Sequence, residues 1–298
     1  MSVFIGVDAG GTKTAVLVAD GERIIAHAAG AGGAVRAGRA LQAASRITAT
    51  VRRALTDAGL LHGDVLVVGA AGVGREPERG ELRGALRAER LADRIVVTGD
   101  LDIALEAAFG PEPGIVVVSG TGSVAVARAS DGVVHRRGGY GWQMGDEGSG
   151  YAIGRTALIA IGRARDGRSP PTMLTELVLS AGPVKSLDEL VRWSTSVEPG
   201  EVASLAPLVF QAAERGDEIA TQIIARAAHD LAELVASLIG CYGKSGTIPV
   251  VLAGGNLTPG RALRAPLIEE LKKLTRLGVQ DRAIDPAEGA LALARRAT

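Results

Sequence analysis

The segment Asp8–Thr14 (DAGGTKT) follows an apolar run and combines a carboxylate, two glycines, hydroxyls and a lysine. Glycine backbone N–H groups can approach an anion closely, and a nearby carboxylate is tolerated when a divalent cation lies between it and a phosphate. The spacing differs from a Walker loop, which needs G-x-x-x-x-G-K-[ST] before a helix. Residues after Lys13 alternate and are β-rich, which favours a strand. Taken alone, the segment is explained equally well as an ordinary hairpin with a glycine turn.

This opening hairpin recurs later in the chain. Phe4–Gly21 (FIGVDAGGTKTAVLVADG) aligns without a gap with Ile115–Gly132 (IVVVSGTGSVAVARASDG), so that Gly11 falls on Gly122 and Thr12 on Ser123. Each copy predicts a strand, a glycine hairpin, a second strand, an Asp-Gly turn and a third strand. A repeat in this register favours a duplicated unit.

The rest of the chain alternates helices and strands. Helices are predicted at 38–58, 77–91, 103–109, 147–163, 171–179, 201–214 and 217–242, strands at 65–70, 94–97 and 248–252, and two helices at the end. Pro111–Gly114 is the clearest linker. The pattern predicts a twofold α/β protein whose two glycine hairpins face each other across a cleft, with ligands at the strand ends.

Asp100 follows directly on a predicted strand. A carboxylate at that position can accept the proton of a substrate hydroxyl as the hydroxyl attacks a γ-phosphate. Capping of the next helix by Asp100 or Asp102 is the alternative, and is the commoner use of aspartate at such a junction.

A glycine-rich segment, Gly138–Tyr151 (GGYGWQMGDEGSGY), contains three of the eight aromatic residues of the chain. Aromatic rings such as those of Tyr140 and Trp142 can cover the apolar face of a sugar, while carboxylates such as Asp146 bind its hydroxyls. A structural Ω-loop with its own small core is the alternative. Farther on, Gly254-Gly255 ends a strand and could let the backbone approach a nucleobase or a sugar, although simple turn chemistry explains it too.

Composition sets the remaining bounds. The chain has 298 residues, 47% of them hydrophobic, and a net charge of zero without a basic block, which argues against a nucleic-acid partner. The one cysteine, Cys241, excludes a disulfide framework and is expected to be a small buried residue in a helix. No apolar run reaches membrane-spanning length and the chain opens directly into a strand, so a soluble cytoplasmic protein without a membrane partner is expected.

These motifs resemble those of the superfamily of sugar kinases, actin and heat-shock chaperone ATPases. Within it, the chain is most similar to the N-acetylglucosamine kinase branch of the BadF/BadG/BcrA/BcrD-type family. DAGGTKT resembles the first phosphate motif of that family, VVVSGTGS the second, VVLAGGNL the adenosine motif, and GGYGWQMGDEGSGY the GGWG…GDEGS signature.

The resemblance implies a duplicated ribonuclease-H-like fold, with one actin-like ATPase domain at 1–113 joined by the helix at 286–298, a second at 114–285, and a central interdomain cleft. It implies ATP-dependent phosphorylation of an amino sugar, usually at the 6-hydroxyl, and a homodimer, which is common among relatives. By position, the resemblance implies that Asp100 is the general base and that Asp8 orients Mg²⁺, often through water. It also implies three sets of binding residues: for the phosphates Gly10, Gly11, Thr12, Lys13, Gly120 and Thr121, for the adenosine Gly254 and Gly255, and for the sugar Asp146, Trp142, Tyr140, Gly122 and Ser123.

Two departures from the family pattern leave the sugar open among N-acetylglucosamine, glucosamine and N-acetylmuramic acid. Tyr140 stands where the family has tryptophan, and the loop Gly30–Arg36 contains no asparagine, which many relatives use to contact the sugar. Arg36 could instead meet an anionic substituent such as a lactyl carboxylate, or be a solvated surface arginine.

Two other classes of function share parts of this pattern. An ATP-driven reductase activator uses cysteines to hold an iron–sulfur cluster, and a single cysteine argues against it. A non-catalytic sugar sensor or repressor would normally carry a DNA-binding module and altered phosphate loops, whereas both loops are intact here.

Overall fold

The computed structural model describes residues 2–74, 76–182 and 184–297. The chain divides into two compact units. Unit 1 comprises Met1–Glu112 and Ile284–Thr298, and unit 2 comprises Pro113–Ala283. Each unit is described by itself.

Both units contain a five-stranded sheet and helices. Unit 1 begins with β1 (Val3–Ala9), β2 (Lys13–Asp20), β3 (Arg23–Ala31), α1 (Ala40–Asp57), β4 (Gly63–Ala70), α2 (Glu76–Ala88), β5 (Ala92–Gly99) and α3 (Asp100–Phe109). Unit 2 follows with β6 (Gly114–Ser119), β7 (Ser123–Arg128), β8 (Val134–Gly138), α4 (Gly150–Arg165), α5 (Met173–Ala181), α6 (Leu187–Ser194), α7 (Pro199–Ala203), α8 (Ala206–Glu214), α9 (Glu218–Ala236), a 3₁₀ turn (Ile239–Cys241), β9 (Ile248–Ala253), α10 (Arg264–Lys272) and β10 (Leu277–Gln280). The chain then returns to unit 1 as α11 (Pro286–Arg296).

The two sheets have the same topology. In unit 1 the strand order is β3-β2-β1-β4-β5, and in unit 2 it is β8-β7-β6-β9-β10. The first three strands of each unit pair antiparallel, and the last two join in parallel. This equivalence confirms the duplicated ribonuclease-H-like α/β fold. Between its third and fourth strands unit 2 has the six helices α4–α9, where unit 1 has α1.

Helix α11 completes the core of unit 1. Its residues Ala290, Leu291 and Ala294 are buried in one cluster with Phe4 and Val65. The helix can approach the sheet because Gly6 has no side chain. A Cβ at this position would lie only 2.5 Å from the backbone nitrogen of Leu291. A larger residue at position 6 would therefore force the helix off the sheet.

The prediction of one helix over 201–214 is wrong. Helix α7 ends at Ala203 and α8 begins at Ala206. Pro207 explains the break, because proline has no N–H and its ring clashes with the carbonyl four residues earlier in a continuous helix. In the structure it occupies the first turn of α8, where neither problem arises.

The prediction of one helix over 217–242 is also wrong beyond Ala236. Asp217 is the N-cap, with its carboxylate accepting the Ala220 N–H at 2.8 Å. Cys241 lies in the 3₁₀ turn and is half-buried against the unit 2 core, rather than fully buried in a helix. The sequence prediction also missed α6 and β10, and it began α4 three residues too early, at Glu147 instead of Gly150. Among the described residues, no helix is both long and apolar enough to span a bilayer.

Candidate active site

The predicted first phosphate loop is the turn of the β1–β2 hairpin in unit 1. The Gly10 N–H donates to the Lys13 carbonyl at 3.0 Å and closes the turn. Gly11, Thr12 and Lys13 are exposed. The turn is followed by a strand, as the alternation of residue types predicts, so an anion here would be bound by turn amides rather than by a helix N-terminus.

Asp8 and Asp100 lie at the same edge of the unit 1 sheet. Ala9 pairs with Ala70 and Ala70 with Gly99, so the strands that carry the two aspartates end level with each other. Strand β4 lies between them, and the two backbones are therefore about 10 Å apart, twice the spacing of neighbouring strands. This edge is where α/β folds bind ligands.

Asp102, not Asp100, makes the N-terminal cap of α3. The Asp102 carboxylate accepts the Gly99 N–H at 3.0 Å and also the Thr98 hydroxyl. Asp100 accepts the N–H of the adjacent Leu101 at 3.0 Å and is partly exposed. Capping is thus assigned to Asp102, while the role of Asp100 as a base remains a prediction.

Asp8 lies in an environment that disfavours its negative charge. Burial raises its pKa to about 6, with further contributions from the negative charges of Asp100 and Asp285, while Lys13 opposes the shift. Asp285 caps α11 by accepting the Ala287 N–H at 2.9 Å. Asp285 was not among the residues predicted to form the site. The Asp-Pro pair that opens α11 is a helix-start signal, but nothing local relates it to Asp8.

The predicted second phosphate loop is the turn of the β6–β7 hairpin in unit 2. The Gly120 N–H donates to the Gly122 carbonyl at 2.9 Å. The hydroxyls of Ser119 and Ser123 donate to the carbonyls of Gly148 and Glu147, at 2.8 and 2.6 Å. These bonds join the hairpin to the glycine-rich segment 138–151 from both sides.

Asn256 joins the predicted adenosine turn to the same hairpin, and sequence reasoning assigned it no role. Its backbone N–H donates to the Ser119 carbonyl at 3.0 Å, and its side-chain amide donates to the Gly120 carbonyl at 2.9 Å. Gly254 has a φ of 90°, and a Cβ there would overlap the Ser119 carbonyl oxygen. Glycine is therefore required at this position for the turn to approach β6.

Asp146 is buried against the second phosphate loop. It adopts a φ of 62°, and its carboxylate accepts the Ser123 N–H at 3.3 Å. Burial raises its pKa, and the hydrogen bond from Ser123 opposes that shift. A Cβ at Gly122 would lie 3.0 Å from the Asp146 carboxylate, so glycine makes room for it. The structure thus brings together Asp146, Gly122 and Ser123, the three residues that the family resemblance assigns to sugar binding.

The aromatic residues of the glycine-rich segment are only partly packed. The rings of Trp142 and Tyr151 are 5.5 Å apart at an angle of 56°. Tyr140 and Trp142 are 67% and 46% exposed. Both rings therefore present apolar surface of the kind that can cover the face of a sugar.

Within unit 1 the structure brings together Asp8, the turn Gly10–Lys13 and Asp100 at one sheet edge. Within unit 2 it joins Gly120–Ser123, Asp146 and Gly254–Asn256 through the hydrogen bonds described above. Each set contains backbone amides or carboxylates suited to a phosphorylated or hydroxylated ligand.

The chain is similar in sequence and in fold to known sugar kinases. The sequence model of the BadF/BadG/BcrA/BcrD ATPase family matches residues 5–294. An N-acetyl-D-glucosamine kinase of Dictyostelium discoideum is 30% identical over 98% of this chain and 97% of its own. An N-acetylmuramic acid/N-acetylglucosamine kinase of Clostridium acetobutylicum is 34% identical over 56% of this chain and 55% of its own. The crystal structure of a proposed N-acetylglucosamine kinase from Chromobacterium violaceum superposes with a TM-score of 0.82, at 30% identity and over 99% of both chains.

Proposed function

The chain belongs to the BadF/BadG/BcrA/BcrD ATPase family, and from this premise we propose that it transfers the γ-phosphoryl group of ATP to the 6-hydroxyl of N-acetylglucosamine. The observation that carries the proposal is the pair of carboxylates, Asp8 and Asp100, at the carboxyl ends of β1 and β5, which end level with each other beside a glycine hairpin. Two relatives with sugar kinase names, each at least 30% identical, support the substrate class. Glucosamine and N-acetylmuramic acid are the alternative substrates.

Asp100 is assigned the role of general base. It accepts the proton of the sugar hydroxyl as the oxygen forms a bond to the γ-phosphorus, and the bond from that phosphorus to the β–γ bridging oxygen breaks to release ADP. Its position at the carboxyl end of β5, with the helix cap supplied by Asp102, supports this role.

Asp8 fits a site for Mg²⁺ bound together with ATP. The negative charge of this half-buried carboxylate is disfavoured by burial and by the neighbouring carboxylates of Asp100 and Asp285. A bound cation would stabilise that charge. Among the described residues, no three histidine, cysteine or carboxylate side chains are placed to hold a metal alone, so water and phosphate oxygens would complete the shell. When bound, Mg²⁺ neutralises negative charge on the phosphates.

The remaining residues are assigned to binding. The turn amides of Gly10–Lys13 and Gly120–Thr121 donate to phosphate oxygens, and Gly254 and Gly255 face the adenosine. The Asp146 carboxylate accepts hydrogen bonds from hydroxyls of the sugar, and Gly122 and Ser123 lie against that carboxylate. We further propose that the protein acts in the cytoplasm, as its composition predicts, and that it is a homodimer, as the resemblance implies.

The proposal is tested by measuring ADP release from ATP and Mg²⁺ with N-acetylglucosamine, glucosamine, N-acetylmuramic acid, glucose or no sugar. Strong turnover with an amino sugar and little without one is the expected result. Turnover that does not depend on the sugar would contradict the proposal and favour an ATP-driven switch. No turnover with any sugar would contradict it too and favour a sugar sensor.

Truncating Trp142 to alanine is expected to weaken sugar binding more than nucleotide binding. The exposed part of the indole ring would lose its contact with the sugar, which is worth about 1–2 kcal/mol, or roughly 10-fold in KM for the sugar. Steady-state kinetics with each substrate varied in turn measure the difference. Tyr151→Phe, which keeps the ring beside Trp142, is the control. Equal increases in both KM values would indicate a structural loop instead.

A further inference from the structure

The three-residue turn of the β6–β7 hairpin has each of its carbonyls bonded to a protein donor. The Gly120 carbonyl accepts the Gly150 N–H at 2.8 Å, and the Thr121 carbonyl accepts the Tyr151 N–H at 3.2 Å. The Gly122 carbonyl accepts the Gly120 N–H at 2.9 Å. Among the described residues, the N–H groups of Thr121 and Gly122 have no protein acceptor. These two N–H groups are therefore the donors that the turn offers to an anion.

This orientation of the turn is set by helix α4, which begins at Gly150. The first N–H groups of a helix have no acceptor within it, and here two of them donate to carbonyls of the turn. The Ser123 N–H donates to the Asp146 carboxylate at 3.3 Å and holds the other end of the turn. None of these bonds uses Asn256, so the turn keeps its own conformation when the side chain of that residue is changed.

The side chain of Asn256 adds a connection of another kind, between this hairpin and the turn at Gly254–Asn256. Its amide donates to the Gly120 carbonyl at 2.9 Å and to the Ser119 hydroxyl oxygen at 3.2 Å. The φ of Asn256 is not positive, so the backbone geometry does not itself require asparagine at this position. The two bonds are thus what the asparagine side chain contributes, and they join residues 136 and 137 positions apart in the sequence.

We propose that Asn256 is a positioning residue for ATP, which fixes the spacing between the turn at Gly254–Asn256 and the turn of the hairpin. The inference rests on the proposed function, which assigns adenosine to the first of these turns and phosphates to the second. A molecule that contacts both turns benefits from a fixed spacing, because its second contact forms without a further loss of freedom. A molecule that contacts only one turn has no such benefit. Loss of the Asn256 amide should therefore weaken the binding of ATP more than the binding of either half of ATP.

The test compares the wild type with Asn256→Ala in ligand-observed NMR titrations with ATP and Mg²⁺, with adenosine, and with tripolyphosphate. The affinity for ATP is expected to fall about 10-fold, while the affinities for adenosine and tripolyphosphate stay within about 3-fold. In steady-state kinetics the KM for ATP should rise by the same factor, and the KM for the sugar should stay within about 3-fold. Thr258→Val is the matched control, since the Thr258 hydroxyl donates to the Gly255 carbonyl at 3.3 Å, within the turn itself. It should leave all three affinities within about 3-fold.

Unchanged affinity for ATP in Asn256→Ala would overturn the inference. Equal losses for ATP and for both fragments would overturn it too, since they would show that the residue supports the local fold alone. If Asn256→Ala does not fold, Asn256→Ser replaces it, because serine is favoured in turns but is one bond too short to reach Gly120. A wild type that binds no ATP would overturn the proposed function together with the inference. A wild type that binds ATP but phosphorylates no sugar would overturn the proposed function alone, and the nucleotide titrations would still decide the role of Asn256.

Discussion

Replacement of Asp100 by asparagine is expected to lower kcat by about 100- to 10,000-fold while leaving the affinity for ATP within about 3-fold. Asparagine has the same shape and can still accept the Leu101 N–H. It cannot take a proton from the attacking hydroxyl, so only the chemical step is affected. Single-turnover measurement of sugar phosphate formation reports the chemical step, and titration with ATP reports the affinity.

Asp102→Asn is the matched control for this experiment, since it changes the same group two residues along the same helix. Asp102 holds the cap of α3, and its replacement should reduce stability by about 1 kcal/mol with a small effect on kcat. If the Asp100 variant retained most of its turnover, or if both variants lost activity and stability together, Asp100 would be a structural residue and the general base would lie elsewhere.

Asp8→Asn is expected to abolish most turnover and, at the same time, to stabilise the ligand-free protein at pH 7.5. The folded state raises the pKa of Asp8 from 3.8 to about 6, so it penalises the charged form. A shift of this size corresponds to at most about 3 kcal/mol, and the neutral variant should recover about 1–3 kcal/mol of it. Turnover falls because asparagine carries no charge to hold Mg²⁺.

The direction of the pH dependence follows from the raised pKa. The penalty is fully present above about pH 6, decreases as Asp8 becomes protonated between about pH 6 and pH 4, and is absent below that range. The stability advantage of the variant, measured by urea unfolding, should therefore be largest at pH 7.5 and shrink towards pH 4. Asp57→Asn, an exposed residue at the end of α1, should change stability by less than about 0.5 kcal/mol at every pH. A variant less stable than the wild type at pH 7.5 would contradict the assignment.

The hairpins and their duplication could be predicted from sequence because the signals are local. The strands are marked by alternating β-branched residues, and the turns by glycines and Asp-Gly pairs. In each copy all of these signals lie within about twenty residues of one another. The first strand of each unit follows from the same signals, so Asp8 could be placed between a strand and a glycine turn without knowledge of the packing.

The contacts that organise the site could not be predicted in this way because they join distant segments. Asn256 meets the second phosphate turn more than a hundred residues away in sequence, and Asp285 comes close to Asp8 only when α11 docks on the sheet. The loop after β3 is likewise fixed by distant contacts, from the Ala34 N–H to the Gly10 carbonyl and from the Val35 N–H to the Ala71 carbonyl. Helix α6 was missed because its eight residues are too few for a clear apolar period, although Ser186 and Glu189 have the spacing of a helix-start signal.

The return of α11 to the first sheet has a consequence for synthesis on the ribosome. The residues it covers, such as Phe4 and Val65, leave the exit tunnel well before α11 does. Unit 2 is contiguous in sequence and can fold as soon as it emerges, while the earlier-made unit waits with an apolar face uncovered. The unit made first is therefore the one finished last. During that interval its exposed surface is a target for chaperones, whereas the later-made unit is already protected.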